Sequence, residues 1–284
     1  MFEEIGRSLD NLLRVVSTNL SFTQIDPRTD AISADFPTIE PIKLRLEIGI
    51  GTLIVSVGNE KLVEGTATYD IQEWAPAINV EGGTVVVRQL HNLPLGPIVA
   101  DRRNDWNLKL GTARPYSLNV AKGIVSGELA LGGLPLTSAL IESGSGKTQV
   151  TFDAPNPQRA DKVEFRCGSG EIRVSGLLNT NSAALRLSGG TGRVHLGFNG
   201  EPLTQDMDAN ISLGVGESTI VVKPGIPTRI RISQGIGGLH IPGNFKSTEG
   251  GAYASADFTT SMGPKLDLKI TCGVGSVNIM MEGE

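Results

Sequence analysis

Apolar and polar residues alternate in two short runs around a pair of glycines, and the unit recurs along the chain as "LRLEIGIGTLIV", "SALIESGSGKTQV", "VEFRCGSGEIRV", "LRLSGGTGRVHL", "ANISLGVGESTI", "IRISQGIGGLHI" and "LKITCGVGSVNI". The shared pattern is apolar-x-apolar-x-x-Gly-x-Gly-x-apolar-x-apolar. Before the first glycine, places −5 and −3 hold Leu44/Leu46, Val163/Phe165, Leu185/Leu187, Ala209/Ile211, Ile230/Ile232 and Leu268/Ile270. After the second, places +2 and +4 hold Leu53/Val55, Ile172/Val174, Val194/Leu196, Leu239/Ile241 and Val277/Ile279. Period two on both sides of a glycine turn predicts short strands with one buried face, and excludes helix there.

The first glycines fall at 49, 144, 168, 190, 214, 235 and 273, so the steps from Gly144 to Gly235 are 24, 22, 24 and 21 residues. Two strands of about five or six residues with their connections fill such a step. One unit buries little by itself, whereas stacked units share a continuous core. The stretch between Gly49 and Gly144 has room for about four more steps and holds degenerate versions, "WNLKLGTARPYSLNV" and "VSGELALGGLPL". The expected fold is therefore all-β: an elongated, solenoid-like stack of strand-GxG-strand repeats, with a β-sandwich or two abutting β-domains as the structural alternative.

The first segment breaks the pattern. In "MFEEIGRSLDNLLRVVSTNL" the apolar residues Phe2, Ile5, Leu9, Leu12, Leu13, Val16 and Leu20 recur at three and four, which predicts an amphipathic helix. Its role is expected to be a cap on the stack or a dimer contact, because its few arginines attract anionic lipid only weakly. "DPRTDAISADFPTIEP" reads as a linker. The domain expectation is a helix and linker over residues 1–40 and a repetitive β domain over 41–284, with a sub-boundary near 100.

Composition agrees with many tight turns: 36 glycines against 5% aromatics. The net charge of −5 is spread without a basic stripe, which argues against nucleic acid as a partner. No apolar run reaches the ~18 residues of a membrane span. No signal-peptide pattern opens the chain, so it reads as cytoplasmic as it stands.

The seven residues "ESGSGKT", Glu142–Thr148, look like a phosphate loop. Such a loop needs a glycine five residues before the Gly-Lys pair and a helix after it. Ile141 stands in the glycine's place, and "TQVTFDAPNP" reads as a strand running into prolines. Lys147 occupies the outward place held elsewhere by Thr52, Glu171, Arg193, Glu217, Gly238 and Ser276, so the loop is a structural turn. A calcium roll needs Asp two places after the last glycine, where Val194 stands.

Among the histidines, His91, His195 and His240, the last two share one repeat place, with one repeat between them. They are expected about 10 Å apart on the surface, too far to share a zinc. Cys167 and Cys272 are expected as small buried residues four repeats, about 19 Å, apart, without a disulfide. Trp74 and Trp106 are expected to cap sheet ends rather than to stack a ligand. No nucleophile elbow or clustered acid pair is present; the acids at equivalent repeat places are Glu171 and Glu217. No catalytic, cofactor-binding or metal-binding residue is nominated, and no cofactor is expected.

The stretch "LRLEIGIGTLIVSVGNEKLVEGTATYDIQEWAPAINVEGGTVVVRQ", followed by "WNLKLG", "FDAPNP", "LGFNGE" and "LGVGESTIVVKPGIPTRIRI", resembles the bacterial toast-rack domain proteins, relatives of the candidate adhesins and of the cell-wall-active antibiotic response proteins. The resemblance covers roughly residues 41 to 284. It implies a β-rich stack, a bacterial origin and attachment to the envelope, and it brings no catalytic residues with it.

The functional expectation is a non-enzymatic interaction or scaffold module with a protein or glycan partner, in envelope adhesion or stress-response signalling. The alternatives are a glycan-active β-solenoid enzyme, which needs clustered carboxylates on one face, and a self-assembling structural protein. Homo-oligomers are expected through the N-terminal helix or through an open terminal strand edge at "VNIMMEGE".

Overall fold

In six of the seven repeats one strand runs straight through the glycine pair instead of ending at it; in the Gly235/Gly237 repeat one strand stops at Ile236 and a new one starts at Leu239. In the structure, a computed structural model, residues 23–58, 60–90, 102–248 and 250–283 are described. The expected N-terminal helix, and His91, lie outside the described residues. The long strands are β2 (Lys43–Val57), β7 (Tyr116–Ala130), β8 (Leu136–Thr151), β9 (Lys162–Ser175), β10 (Ala184–Phe198), β11 (Met207–Val222) and β16 (Leu266–Met281). They pair in parallel and in register across their glycine pairs, except that the β7–β8 ladder shifts register at Tyr116/Ser117 and skips Val125 and Ser126.

Chain reach explains why each strand must bend. A straight strand of some fifteen residues spans about 50 Å, but the return from β8 to β9, residues 152–161, reaches at most about 35 Å. Parallel neighbours are possible only if the end of each strand swings back towards its start. Burial records that bend: in β9, Val163 and Phe165 lie inward before the glycines and Ile172 and Val174 after them, all at most 1% exposed. Residues seven apart would face opposite sides of a flat strand. The backbone changes face at the glycine pair, and both arms look onto one core.

The return segments form the remaining wall. Phe152, Leu177 and Leu178 point inward from them. Buried asparagines stitch successive returns together: the Asn156 amide donates to the carbonyls of Leu136 (2.8 Å) and Thr180 (3.2 Å), and Asn179 donates to that of Phe152 (2.7 Å). Buried backbone groups in an irregular segment need such partners.

Among the described residues sixteen strands make one open, mixed sheet. At its N-terminal end the arms take different neighbours. Lys43–Glu47 of β2 pair with β5 (Thr84–Gln89), itself paired with β4 (Pro76–Glu81). Thr52–Val57 pair with β6 (Asn104–Leu110), which continues antiparallel to β3 (Val63–Ile71) and β1 (Gln24–Ala34). At the other end, β12 (Thr228–Ile236) lies against β16, and the short strands β13 (Leu239–His240), β14 (Phe245–Ser247) and β15 (Tyr253–Ser255) complete it.

Several expectations are corrected. Except at Gly235/Gly237, where β12 and β13 are separate, the repeat is one bent strand rather than two strands joined by a turn. Among the described residues between Gly49 and Gly144 there is one further bent strand, β7, rather than four steps, together with β3 to β6. The segment read as a linker is strand β1, whose Ile32 and Ala34 are buried. Strand order also departs from sequence order, because β16 inserts between β11 and β12. The edge expected at "VNIMMEGE" is open only in part: Val277 and Asn278 lie between β11 and β13, whereas Ile279–Met281 have β11 as their one strand partner among the described residues, and the sheet continues through β12 and β15 to β14. Leu239, expected inward, is 44% exposed, because β13 is only two residues long and no further arm lies beyond it.

Candidate functional site

The middle residues of the glycine pairs line up at the corner. Neighbouring partners run Ile50, Ile124, Ser145, Ser169, Thr191, Val215, Val274, Ile236. Strand spacing sets these side chains about 4.8 Å apart along a ridge. Its centre is hydroxyl-bearing, and one end is exposed aliphatic: Val215 is 48%, Val274 47% and Ile236 73% accessible.

The ridge is this narrow because glycine carbonyls occupy the space behind it. A Cβ on Gly192 would sit 1.8 Å from the Gly170 carbonyl oxygen, and the backbone there has φ +148°. No side chain can be accommodated at that separation.

Two places further on, Lys147, Glu171, Arg193 and Glu217 are successive neighbours, a ladder of alternating charge on the outer face of the second arm. Lys147 of the "ESGSGKT" stretch thus stands on a strand surface beside Glu171, with strand rather than helix following. The two repeat-equivalent acids flank Arg193. A hydrogen bond from Arg173 holds the Glu171 carboxyl below the usual carboxylate range, so it stays ionised and lacks the proton of a general acid.

Beneath the corner lies a polar cluster that no sequence motif announces. Lys122, 4% exposed, donates from Nζ to Thr148 Oγ1 at 2.7 Å, and that hydroxyl donates to Ser143 Oγ at 3.2 Å. Gly127 leaves the room: a Cβ there would meet the lysine Nζ at 2.4 Å. Burial pulls the Lys122 ammonium down to about 8. Cys167 is the strand neighbour of Ser143, and burial pushes its thiol up, so it is a weak nucleophile at neutral pH. Above this cluster a shallow open groove of about 540 Å³ crosses Ser143, Gly144, Cys167, Gly168 and Gly190.

The remaining sequence-derived positions are not brought together. Cys167 and Cys272 are separated by Gly189 and Leu213 in one row, three strand spacings or about 14 Å, one fewer than expected because of the β16 insertion. Cys272 is buried and Cys167 only partly so. By the same insertion His195 and His240 are separated by Thr219 and Asn278, about 14 Å instead of 10 Å. Trp106 is 1% exposed in the main core and donates to Asn104 Oδ1 (2.9 Å). Trp74 packs in a second cluster with Tyr69 and Ile71. Neither offers a ring to a ligand. Among the described residues no group of three or more His, Cys, Asp or Glu is placed to hold a metal, and no helix is long and apolar enough to cross a membrane.

Comparison with known proteins places this architecture. A crystal structure of a candidate cell adhesion protein from Clostridium sporogenes is similar, with 23% identity and a TM-score of 0.51 over 90% of this chain and 100% of that one. A candidate adhesin from Bacteroides fragilis aligns at 12% identity and a TM-score of 0.42, covering 90% and 97% of the two chains. A candidate lipid binding protein from Parabacteroides distasonis aligns at 14% and 0.32, covering 89% and 96%. The first likeness is evidence of shared fold only. A search of curated proteins finds no match. The family model for the N-terminal domain of toast_rack, DUF2154, matches residues 23–175, more than half of the 284 residues. By that match the chain, with its ranks of bent strands, belongs to the toast-rack family.

Proposed function

We propose that the chain is a non-enzymatic interaction module of the bacterial envelope, whose solenoid-like body presents fixed rows of side chains to a protein or glycan in adhesion or stress-response signalling. The observation that carries this reading is the corner ridge, in which register alone holds Ser145, Ser169 and Thr191 in a line. A regular array on a rigid sheet loses little conformational entropy on binding. Family membership supports the envelope setting. We read residues 41–284 as one β body, since β2 pairs with β7 across any boundary near 100.

The glycan-active enzyme is the weaker reading, because the acids of the ladder alternate with guanidinium and ammonium groups. The test is co-sedimentation of the purified chain with bacterial envelope fragments. The expected result is saturable binding that Ser169→Glu and Thr191→Glu weaken by roughly tenfold or more. A chain that stays in the supernatant, or corner variants that bind like the parent, would contradict it.

A further inference from the structure

We propose that the open edge of β12 joins two copies of this chain in a twofold-symmetric dimer, with Ile236 on the axis. Along its whole length β12 pairs with β16 on one side, but on the other β15 covers only Arg229 and Ile230. Among the described residues, Ile232–Ile236 therefore present unpaired backbone donors and acceptors.

That edge is undefended. Exposed edges are ordinarily protected by charge or proline, and the edge strand at the opposite end, β1, carries Asp26, Pro27, Arg28 and Asp30. From Ile232 to Leu239 the sequence Ile-Ser-Gln-Gly-Ile-Gly-Gly-Leu has neither. Its Ile236 is 73% exposed, and Val274 beside it continues the aliphatic end of the ridge.

The shape of the corner selects a second copy as the occupant. A twofold axis through Ile236, bisecting the bend, exchanges the two arms while keeping the direction of the bend. The first arm of one copy then meets the second arm of the other in antiparallel register, and both cores stay on the same side. Ile236 opposes its own symmetry mate, Gly235 opposes Gly237, Gln234 opposes Gly238, and Ser233 opposes Leu239. Arg231 falls opposite Ile241, so no like charges meet. An extended peptide that did not share the bend would have to leave the edge at the corner. Because the two ends of the sheet differ, the pairing closes at two copies and does not propagate into fibres.

This inference is independent of the envelope reading, because it concerns the purified chain alone. Analytical ultracentrifugation of the full chain is expected to give twice the chain mass at micromolar concentration, and Ile236→Lys to weaken the dimer on the order of tenfold or more. Thr191→Lys, on the same ridge, should leave it unchanged. In antiparallel pairs the Cα atoms lie about 4.5–5.5 Å apart, within disulfide range. Ile236→Cys should therefore link two copies under mild oxidation, with the 236–236 bond read by mass spectrometry. A monomer at all concentrations overturns the proposal. So does a dimer that is indifferent to Ile236→Lys, or one in which Ile236→Cys does not cross-link.

Discussion

The corners of β10 and β7 make the same bend with opposite residues. In β10 the second place is Gly192, whose missing side chain lets the Gly170 carbonyl approach. In β7 that place is Val125, which is fully buried, and two positions on Gly127 leaves a gap that Lys122 fills. Val125 and Ser126 do not pair with β8, so the ladder is relaxed where the glycine is missing. A corner can thus be built either by a close backbone approach or by turning a side chain inward. The second solution buries an amine.

Gly192→Val places a branched side chain where Val125 is native in β7, but with its Cβ against a carbonyl and φ at +148°. The loss should exceed about 4 kcal/mol in chemical denaturation, or prevent folding. The reverse change, Val125→Gly, removes buried volume without a clash and should cost about 2 to 3 kcal/mol. Equal losses would mean that the two corners are not built differently.

The Lys122 amine falls from 10.5 in the unfolded chain to about 8 in the folded one. Both states are protonated below about 8, and the folded state then carries the full cost of the buried charge. Between about 8 and 10.5 the unfolded chain binds more protons, so stability rises with pH. Across that window the change in stability amounts to about 3 kcal/mol. Thermal denaturation of the parent minus Lys122→Met across that window isolates this slope from the cysteines and tyrosines. A flat difference would place the amine in solvent.

Much of this fold is legible in the sequence because period two and paired glycines both report the backbone. Leu44, Phe165, Leu187 and Ile270 alternate as they do because each arm has one buried face, and all four are buried. The corner of β7 was hidden by Val125, which breaks the Gly-x-Gly signature, although Gly123 still stacks on Gly49. Strand β1 was hidden by Pro27 and two aspartates, which suit an edge as well as a linker. The insertion of β16 leaves no local trace, since a parallel strand reads the same beside either neighbour.

The ridge and the edge of β12 were illegible for a related reason. Ser169, Val215 and Ile236 look like arbitrary residues between glycines until register lines them up. Lys122 stands outside every complete repeat in the sequence, and only the register places it beside Ile48, with Gly127 making room for it.

The register and order of the strands are tested most directly by paired cysteines on the charge-ladder row. Parallel neighbours stand about 4.8 Å apart, within disulfide reach, whereas strands once removed stand near 10 Å. Glu217→Cys with Ser276→Cys, adjacent in space across β11 and β16, should cross-link readily under mild oxidation. Glu217→Cys with Gly238→Cys, adjacent repeats in the sequence, should not. Cross-linking of the second pair in place of the first would contradict the stack described here.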